Sequence, residues 1–394
     1  MVSESTQAKA GPRRRLRLGM VGGGQGAFIG GVHRIAARLD DRFELVAGCF
    51  ASTAEKSKAS GAELGIDPGR TYGSFADMAK AEAGRADGID AVAIVTPNHV
   101  HYPAAAAFLE AGIHVICDKP MTTTLADAAA LAALVARSGL VFVLTHNYTG
   151  YPMIRQARAM VAAGELGAIR VVQAEYAQDW LATKLEATGQ KQAGWRTDPA
   201  RSGPAGSTGD IGTHAMNLAA FVTGLELDEV AAELSTFVEG RRLDDNCNVL
   251  LRYKGGARGM LWASQVATGN ENALKLRVYG DKGGLEWAQE DPNYLWFTAL
   301  GEQKRLITRS GAGTGPEAGR VTRVPPGHPE GYLEGFATIY SDAAELIWAA
   351  IEGRKPDDGA RLAPSVQDGV AGVKFIEAVV ASSGAGGAWT KAAV

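Results

Sequence analysis

Leu16-Arg17-Leu18-Gly19-Met20-Val21-Gly22-Gly23-Gly24-Gln25-Gly26-Ala27-Phe28-Ile29-Gly30-Gly31, followed by a helical pattern over residues 32–39, decides the fold of this chain. An apolar run, a glycine-rich turn and a helix form the first unit of a parallel sheet. The same order suits a dinucleotide pyrophosphate, because only glycine lets the backbone come close while the helix start offers N–H groups and a positive dipole. Gly22 and Gly24 fit the first two spaced glycines; the third is either Ala27 or, with an insertion, Gly30. Gly22, Gly24, Gln25, Ala27, Phe28 and Ile29 are therefore the candidate pyrophosphate contacts, with a plain structural turn as the alternative.

Working outward, strand-like runs recur at residues 43–50, 71–72, 90–95, 113–117 and 141–145, with helical patterns between them. Six strands alternating with helices predict a doubly wound parallel sheet, an α/β Rossmann domain over residues 14–148. The second strand ends at Ala51-Ser52-Thr53, where neither an acid for ribose hydroxyls nor an arginine for an extra phosphate stands. Ser52 and Lys56 are the candidates there, and the missing arginine leans the cofactor to NAD with NADP left open. After the fourth strand, Thr96-Pro97 of Thr96-Pro97-Asn98-His99-Val100-His101 ends the strand and aims Asn98 and the two histidines at the nicotinamide crevice, with Thr96, Asn98 and His101 the candidate cofactor contacts. Asn98 as the cap of the following helix is the other reading.

Ile113-His114-Val115-Ile116-Cys117-Asp118-Lys119-Pro120-Met121 delivers an acid, a lysine and a proline to the carboxyl end of the next strand, where open parallel sheets place ligands. Asp118 and Lys119 are either functional or ordinary loop charges. Beyond residue 148 the rhythm changes to consecutive strands, at 169–178, 229–238, 246–253, 257–267 and a hairpin over 273–287, with closing helices at 333–352 and 363–382. Residues 149–394 thus read as an α+β domain with a large, mostly antiparallel sheet. Such a sheet leaves one face uncovered, so a homo-oligomer, dimer or tetramer, is expected. Residues 301–331 read as a surface excursion, and Asp244-Asp245-Asn246 as either a pocket edge or a solvated turn.

In Gly209-Asp210-Ile211-Gly212-Thr213-His214 the acid and the histidine are four apart and share a helix face, close enough for the carboxylate to orient the imidazole as a general base. A helix cap and a satisfied histidine are the plain alternative. No third protein ligand stands nearby, so no metal is expected.

Bulk composition narrows the classes. Lys+Arg of 40 against Asp+Glu of 43 gives a net charge of -3, which leaves nothing to neutralise a phosphate backbone, and no nucleic-acid partner is expected. No apolar run approaches a membrane span. Cys49, Cys117 and Cys247 are odd in number and lie in apolar runs, as reduced core thiols of a cytoplasmic protein would. Arg13-Arg14-Arg15 lacks the apolar stretch of an export signal, and residues 1–13 read as a flexible tail.

Taken together, the glycine turn, Thr96-Pro97-Asn98, Asp118-Lys119-Pro120 and the 209–214 segment resemble the Gfo/Idh/MocA oxidoreductases, from Leu16 to the closing helices. The resemblance implies a nicotinamide-dependent sugar dehydrogenase in which Lys119, Asp210 and His214 are catalytic; Asp118 replaces the usual glutamate, and the glycine loop is stretched. It also implies hydride transfer from a sugar carbinol carbon, with His214 taking the hydroxyl proton and Asp210 stabilising the imidazolium. Tyr148, Trp180, Trp195, Arg196 and His328 join Lys119, Asp210 and His214 as candidate substrate contacts. The Trp180 and Trp195-Arg196 segments resemble the pyranoside-acting branch. Two alternatives share the scaffold: an NAD-dependent glycosidase working by transient oxidation, and a non-catalytic sugar or nucleotide sensor.

Overall fold

The computed structural model describes residues 13–393, so the predicted tail lies outside the described residues except for Arg13, which pairs with Glu352 at 2.8 Å. The first unit runs β1 (Leu16–Gly22), α1 (Phe28–Leu39), β2 (Phe43–Cys49), α2 (Ala54–Glu63), α3 (Phe75–Ala83), β3 (Ala91–Val95), α4 (His101–Glu110), β4 (His114–Cys117), α5 (Leu125–Ser138) and β5 (Phe142–Leu144). Its sheet is parallel, in the order β2-β1-β3-β4-β5. Five strands form where six were expected. Residues 71–72 are squeezed between the turn at Pro68–Arg70 and the Ser74 cap of α3, and only one bridge, Gly48 to Thr71, survives.

The second unit continues with α6 (Pro152–Ala162), β6 (Ile169–Ala177), α7 (Lys191–Arg196), α8 (Pro199–Ser202), α9 (Thr213–Thr223), β7 (Leu227–Ser235), β8 (Asn246–Tyr253), β9 (Arg258–Ser264), β10 (Ala273–Gly280), β11 (Gly283–Ala288), β12 (Tyr294–Ala299) and β13 (Arg305–Thr308). It closes with α10 (Pro316–Arg320), α11 (Tyr332–Glu352), α12 (Val366–Gly384) and β14 (Thr390–Lys391). Nine strands form one sheet in the order β13-β12-β11-β10-β6-β9-β8-β7-β14, antiparallel except between β6 and β9. Alternate residues such as Val172, Leu261, Leu276 and Leu285 face inward onto α6 and α9 and make the second core.

Residues 301–331 are less of an excursion than their composition predicted. Arg309 and Glu330 within them form a buried ion pair at 3.0 Å, and Arg309 also bonds Asn293, so the segment is anchored to the strands before it. The closing helices bind both units together. Phe336, Ile339, Tyr340 and Ile347 of α11 pack in one core with Leu16, Leu18 and Val32, on one face of the parallel sheet. On the other face Val366, Val370 and Val373 of α12 join Val115 and Leu131, while Phe375 and Val379, further along the same helix, enter the second core.

Candidate active site

At the carboxyl end of β1, Gly22, Gly23 and Gly26 adopt φ of +82°, +71° and +70°, conformations that suit glycine. A Cβ on Gly30 would stand 2.3 Å from the Cα of Gly23, so Gly30 performs the close-packing role of the third glycine and the insertion reading holds over Ala27. Three turn N–H groups are internally satisfied, Gly24 by the Phe50 carbonyl, Gln25 by Ser60 Oγ and Ala27 by the Gly24 carbonyl. The start of α1 is different: Ala27 provides no side-chain cap, and the first-turn N–H groups at Phe28 and Ile29 have no helical acceptor. Phe28 borders a cleft of about 500 Å³ lined by Gly23 to Phe28, Arg34, Ser60, Glu63 and Leu64, and Ile29 lies one residue behind it. An uncapped helix start in an open glycine cradle fits the pyrophosphate of a dinucleotide.

Ser52 and Lys56 are exposed beyond β2, where Thr53 Oγ1 caps α2 through the Lys56 N–H at 3.4 Å. Thr96, at the end of β3, keeps a buried Oγ1 without a protein partner. Asn98 does not cap the following helix. Its amide donates to the Ser202 carbonyl at 2.8 Å, tying α8 to the strand end. His101 also departs from expectation: its ring nitrogens meet the carbonyls of Pro120 (2.8 Å) and Thr96 (2.9 Å), so it fastens two strand ends together. Those bonds hold the imidazole within the sheet edge. Asp118 likewise points back into its own turn, accepting from the Lys119 N–H (3.0 Å) and Thr145 Oγ1 (2.9 Å).

Lys119, joined to Pro120 by a cis peptide bond, reaches across the cleft between the two units. Its Nζ lies 3.0 Å from Asp210 Oδ1 and also donates to the Asp210 backbone carbonyl. Asp210 sits in a five-residue π turn, Thr208–Gly212, that runs into α9. Its other oxygen, Oδ2, accepts from Gln265 Nε2 at 2.8 Å and faces Arg196 Nε at 3.2 Å. Burial opposes ionisation of Asp210, yet Lys119 and Arg196 outweigh it and hold the carboxyl below the usual range. The predicted Asp210–His214 bond is therefore replaced. A buried carboxylate goes to the two cations and the amide that face it, and among the described residues no hydrogen bond joins it to His214.

His214 is buried edge-on against Tyr148, with ring centroids 4.9 Å apart, and against His146, 5.4 Å apart. Burial, then Lys119 and His146, press its pKa well below the ordinary value, so the imidazole is neutral. Its Nδ1 is sealed without a partner. Tyr148 OH meets Tyr176 OH at 2.5 Å, and Tyr176 donates to Asn272 at 2.7 Å, a buried network behind the histidine. Arg196 lies over Trp195 (4.3 Å) and Trp180 (5.8 Å), which brings those three predicted residues to the Asp210 side of the cleft. His328 is not brought there; it is exposed on a loop whose backbone is held by Pro325 and Arg309.

Several participants had no sequence signal. His146, pushed down to about 3 by burial and then Lys119, was visible only as a residue after a strand. Gln265 follows β9 directly, without any motif around it. Asp244 and Asp245 are neither pocket edge nor solvated turn. Asp244 accepts from the Gly206 and Thr208 N–H groups and the Ser207 and Thr208 hydroxyls, bracing the turn that launches Asp210. Asp245 ties down Phe237, Val238 and Arg241.

A dinucleotide cradle and a proton-handling cluster thus meet at one sheet edge, the layout of a nicotinamide-dependent oxidoreductase. The sequence gives the family. Residues 16–148 match the oxidoreductase family with an NAD-binding Rossmann fold, residues 154–286 match the GFO/IDH/MocA C-terminal domain, and the chain belongs to the GFO/IDH/MocA family. An oxidoreductase structure from Sinorhizobium meliloti is 58% identical, with TM-score 0.88 and coverage of 96% of this chain and 100% of that one. An inositol dehydrogenase homolog from Azotobacter vinelandii, complexed with NADH and myo-inositol, is 37% identical with TM-score 0.89, covering 96% and 98% of the two chains. Levoglucosan dehydrogenase of Pseudarthrobacter phenanthrenivorans is 27% identical over 95% of this chain and 98% of its own length. Among the described residues no helix is long and apolar enough to cross a membrane.

Proposed function

We propose that this oxidoreductase acts on a ring hydroxyl of a sugar, cyclic polyol or pyranoside, with NAD as the preferred cofactor. The observation that carries the reading is Lys119 from the sheet edge meeting Asp210 of the second unit at 3.0 Å, beside a neutral His214. Bound NAD supplies the ring that accepts hydride. His214 takes the hydroxyl proton at Nε2, the ring nitrogen not sealed in protein. Lys119 Nζ donates to the same oxygen as charge develops on it, and Asp210 sets the position of the lysine. Lys119 is the cation placed against an oxygen becoming anionic, and Arg196 shares the Asp210 carboxylate with it. Arg196 between Trp180 and Trp195 offers donors and flat faces suited to hydroxyl-bearing rings. The NADH and myo-inositol complex of one relative and the levoglucosan dehydrogenase name of another support the substrate class.

A row of registered residues crosses the outer face of the nine-stranded sheet: Leu250, Met260, Gln173, Arg277, Glu286, Trp296 and Leu306. Leu250, Met260, Trp296 and Leu306 are 41–51% exposed, which supports burial of this face in a homo-oligomer. The three cysteines are free and buried, in keeping with a cytoplasmic site of action.

The test is NAD with a panel of free sugars, inositols and aryl glycosides. Accumulating NADH supports the reading; aglycone release without NADH replaces it with the glycosidase. Lys119→Ala and His214→Ala are each expected to lower kcat by about 10²- to 10⁴-fold with NADH binding retained. Near-normal turnover in both variants sinks the assignment.

A further inference from the structure

Helix α7 comes from the second unit, yet its first residue reaches the dinucleotide cradle: Lys191 Nζ donates to the Gln25 backbone carbonyl at 3.1 Å. The opposite end of the same six-residue helix is Arg196, whose Nε lies 3.2 Å from Asp210 Oδ2. One short element therefore touches both the glycine turn and the carboxylate that positions Lys119. We propose that Lys191 is a cofactor clamp, a cation delivered by the second unit onto the pyrophosphate of the bound dinucleotide. The proposal rests on the NAD reading given above.

Charge is the argument. Lys191 is exposed, and among the described residues it makes no ion pair; its partner is a neutral carbonyl. Two other charged groups line the cradle, both from the first unit and both bonded to the glycine turn. Arg34 donates to the Gly23 carbonyl at 2.6 Å, and Glu63 accepts from the Gln25 side-chain amide. The start of helix α1 supplies N–H groups and partial charge to an anion there, and Arg34 on the same helix adds one full positive charge, to which Lys191 brings a second from the other unit. An ammonium has three donors on a flexible stem, so Lys191 can keep Gln25 and still reach a phosphate oxygen beside it. A phosphate is a much stronger acceptor for it than a carbonyl. With Lys191 so engaged, α7 is drawn onto the cradle, and Arg196 is held on Asp210 at its far end.

NADH titrations of the full-length protein, followed by nicotinamide fluorescence, test this with Lys191→Ala and Lys191→Arg. Lys191→Ala is expected to raise the NADH Kd about tenfold, the loss of one charge-assisted contact. It should also flatten the dependence of Kd on salt, while Lys191→Arg stays near wild type. Lys191 is exposed, so equal thermal melting of all three proteins is the folding control. An unchanged Kd and salt slope in Lys191→Ala overturns the clamp alone. Absence of NADH binding by the wild type overturns both the clamp and the NAD reading beneath it.

Discussion

Asp210→Asn removes the one charge that faces both Lys119 and Arg196 while keeping the side chain's shape. At the observed 3.0 Å, the Lys119–Asp210 attraction is about 5 kcal/mol at an effective dielectric of 20. Desolvation of the two groups offsets much of it. A coupling of about 2 kcal/mol between contacting residues is then expected, equivalent to about 30-fold in kcat/KM. The assay is a pair of double-mutant cycles on kcat/KM, one joining Asp210→Asn to Lys119→Met and one joining it to His214→Gln. Because Asp210 acts through the lysine, Asp210→Asn should cost little once Lys119 is already gone. The cycle with His214→Gln should be close to additive. Additivity with Lys119 and coupling with His214 would refute the reasoning, and would restore the direct carboxylate–imidazole bond that the spacing of the two residues predicted.

Other outcomes follow from buried groups and open surface. His33 and His146 are neutral in the fold, lowered by burial to about 4 and about 3 from the ordinary 6.5. Unfolding lets each take a proton below pH 6.5, so the stability they contribute is full above that pH and declines as pH falls towards their folded values. Each should cost about 2 kcal/mol between pH 6.5 and 5, measured by urea denaturation, and His146→Phe should remove its share of the slope. An unchanged slope in that variant shows that His146 is not held neutral. On the outer sheet face, Leu250→Glu with Met260→Glu should shift the proposed homo-oligomer to monomer in sedimentation velocity; an unaltered assembly places the interface elsewhere, and a monomeric wild type removes it.

By itself the sequence determined the parallel sheet and the glycine turn, and it marked Lys119, Asp210 and His214 as candidates, because each is written in local pattern. Alternating strand and helix periods, a strand ending in Asp-Lys-Pro and a Gly-Asp-Ile-Gly-Thr-His run need no knowledge of distant residues. What the carboxylate does was not legible. A spacing of four says that Asp210 and His214 share a face, but not that Lys119 from the end of β4, Arg196 from α7 and Gln265 from just beyond β9 converge on Asp210 first. His101 shows the same limit: its place after a strand marked it for the cleft, and two carbonyls of neighbouring strand ends took its ring instead. Gly30 was left open against Ala27 until the 2.3 Å approach to Gly23 decided it. Local periodicity fixes which elements form, whereas the partners of a buried polar group depend on which charges the folded chain packs around it, and tertiary structure alone decides that.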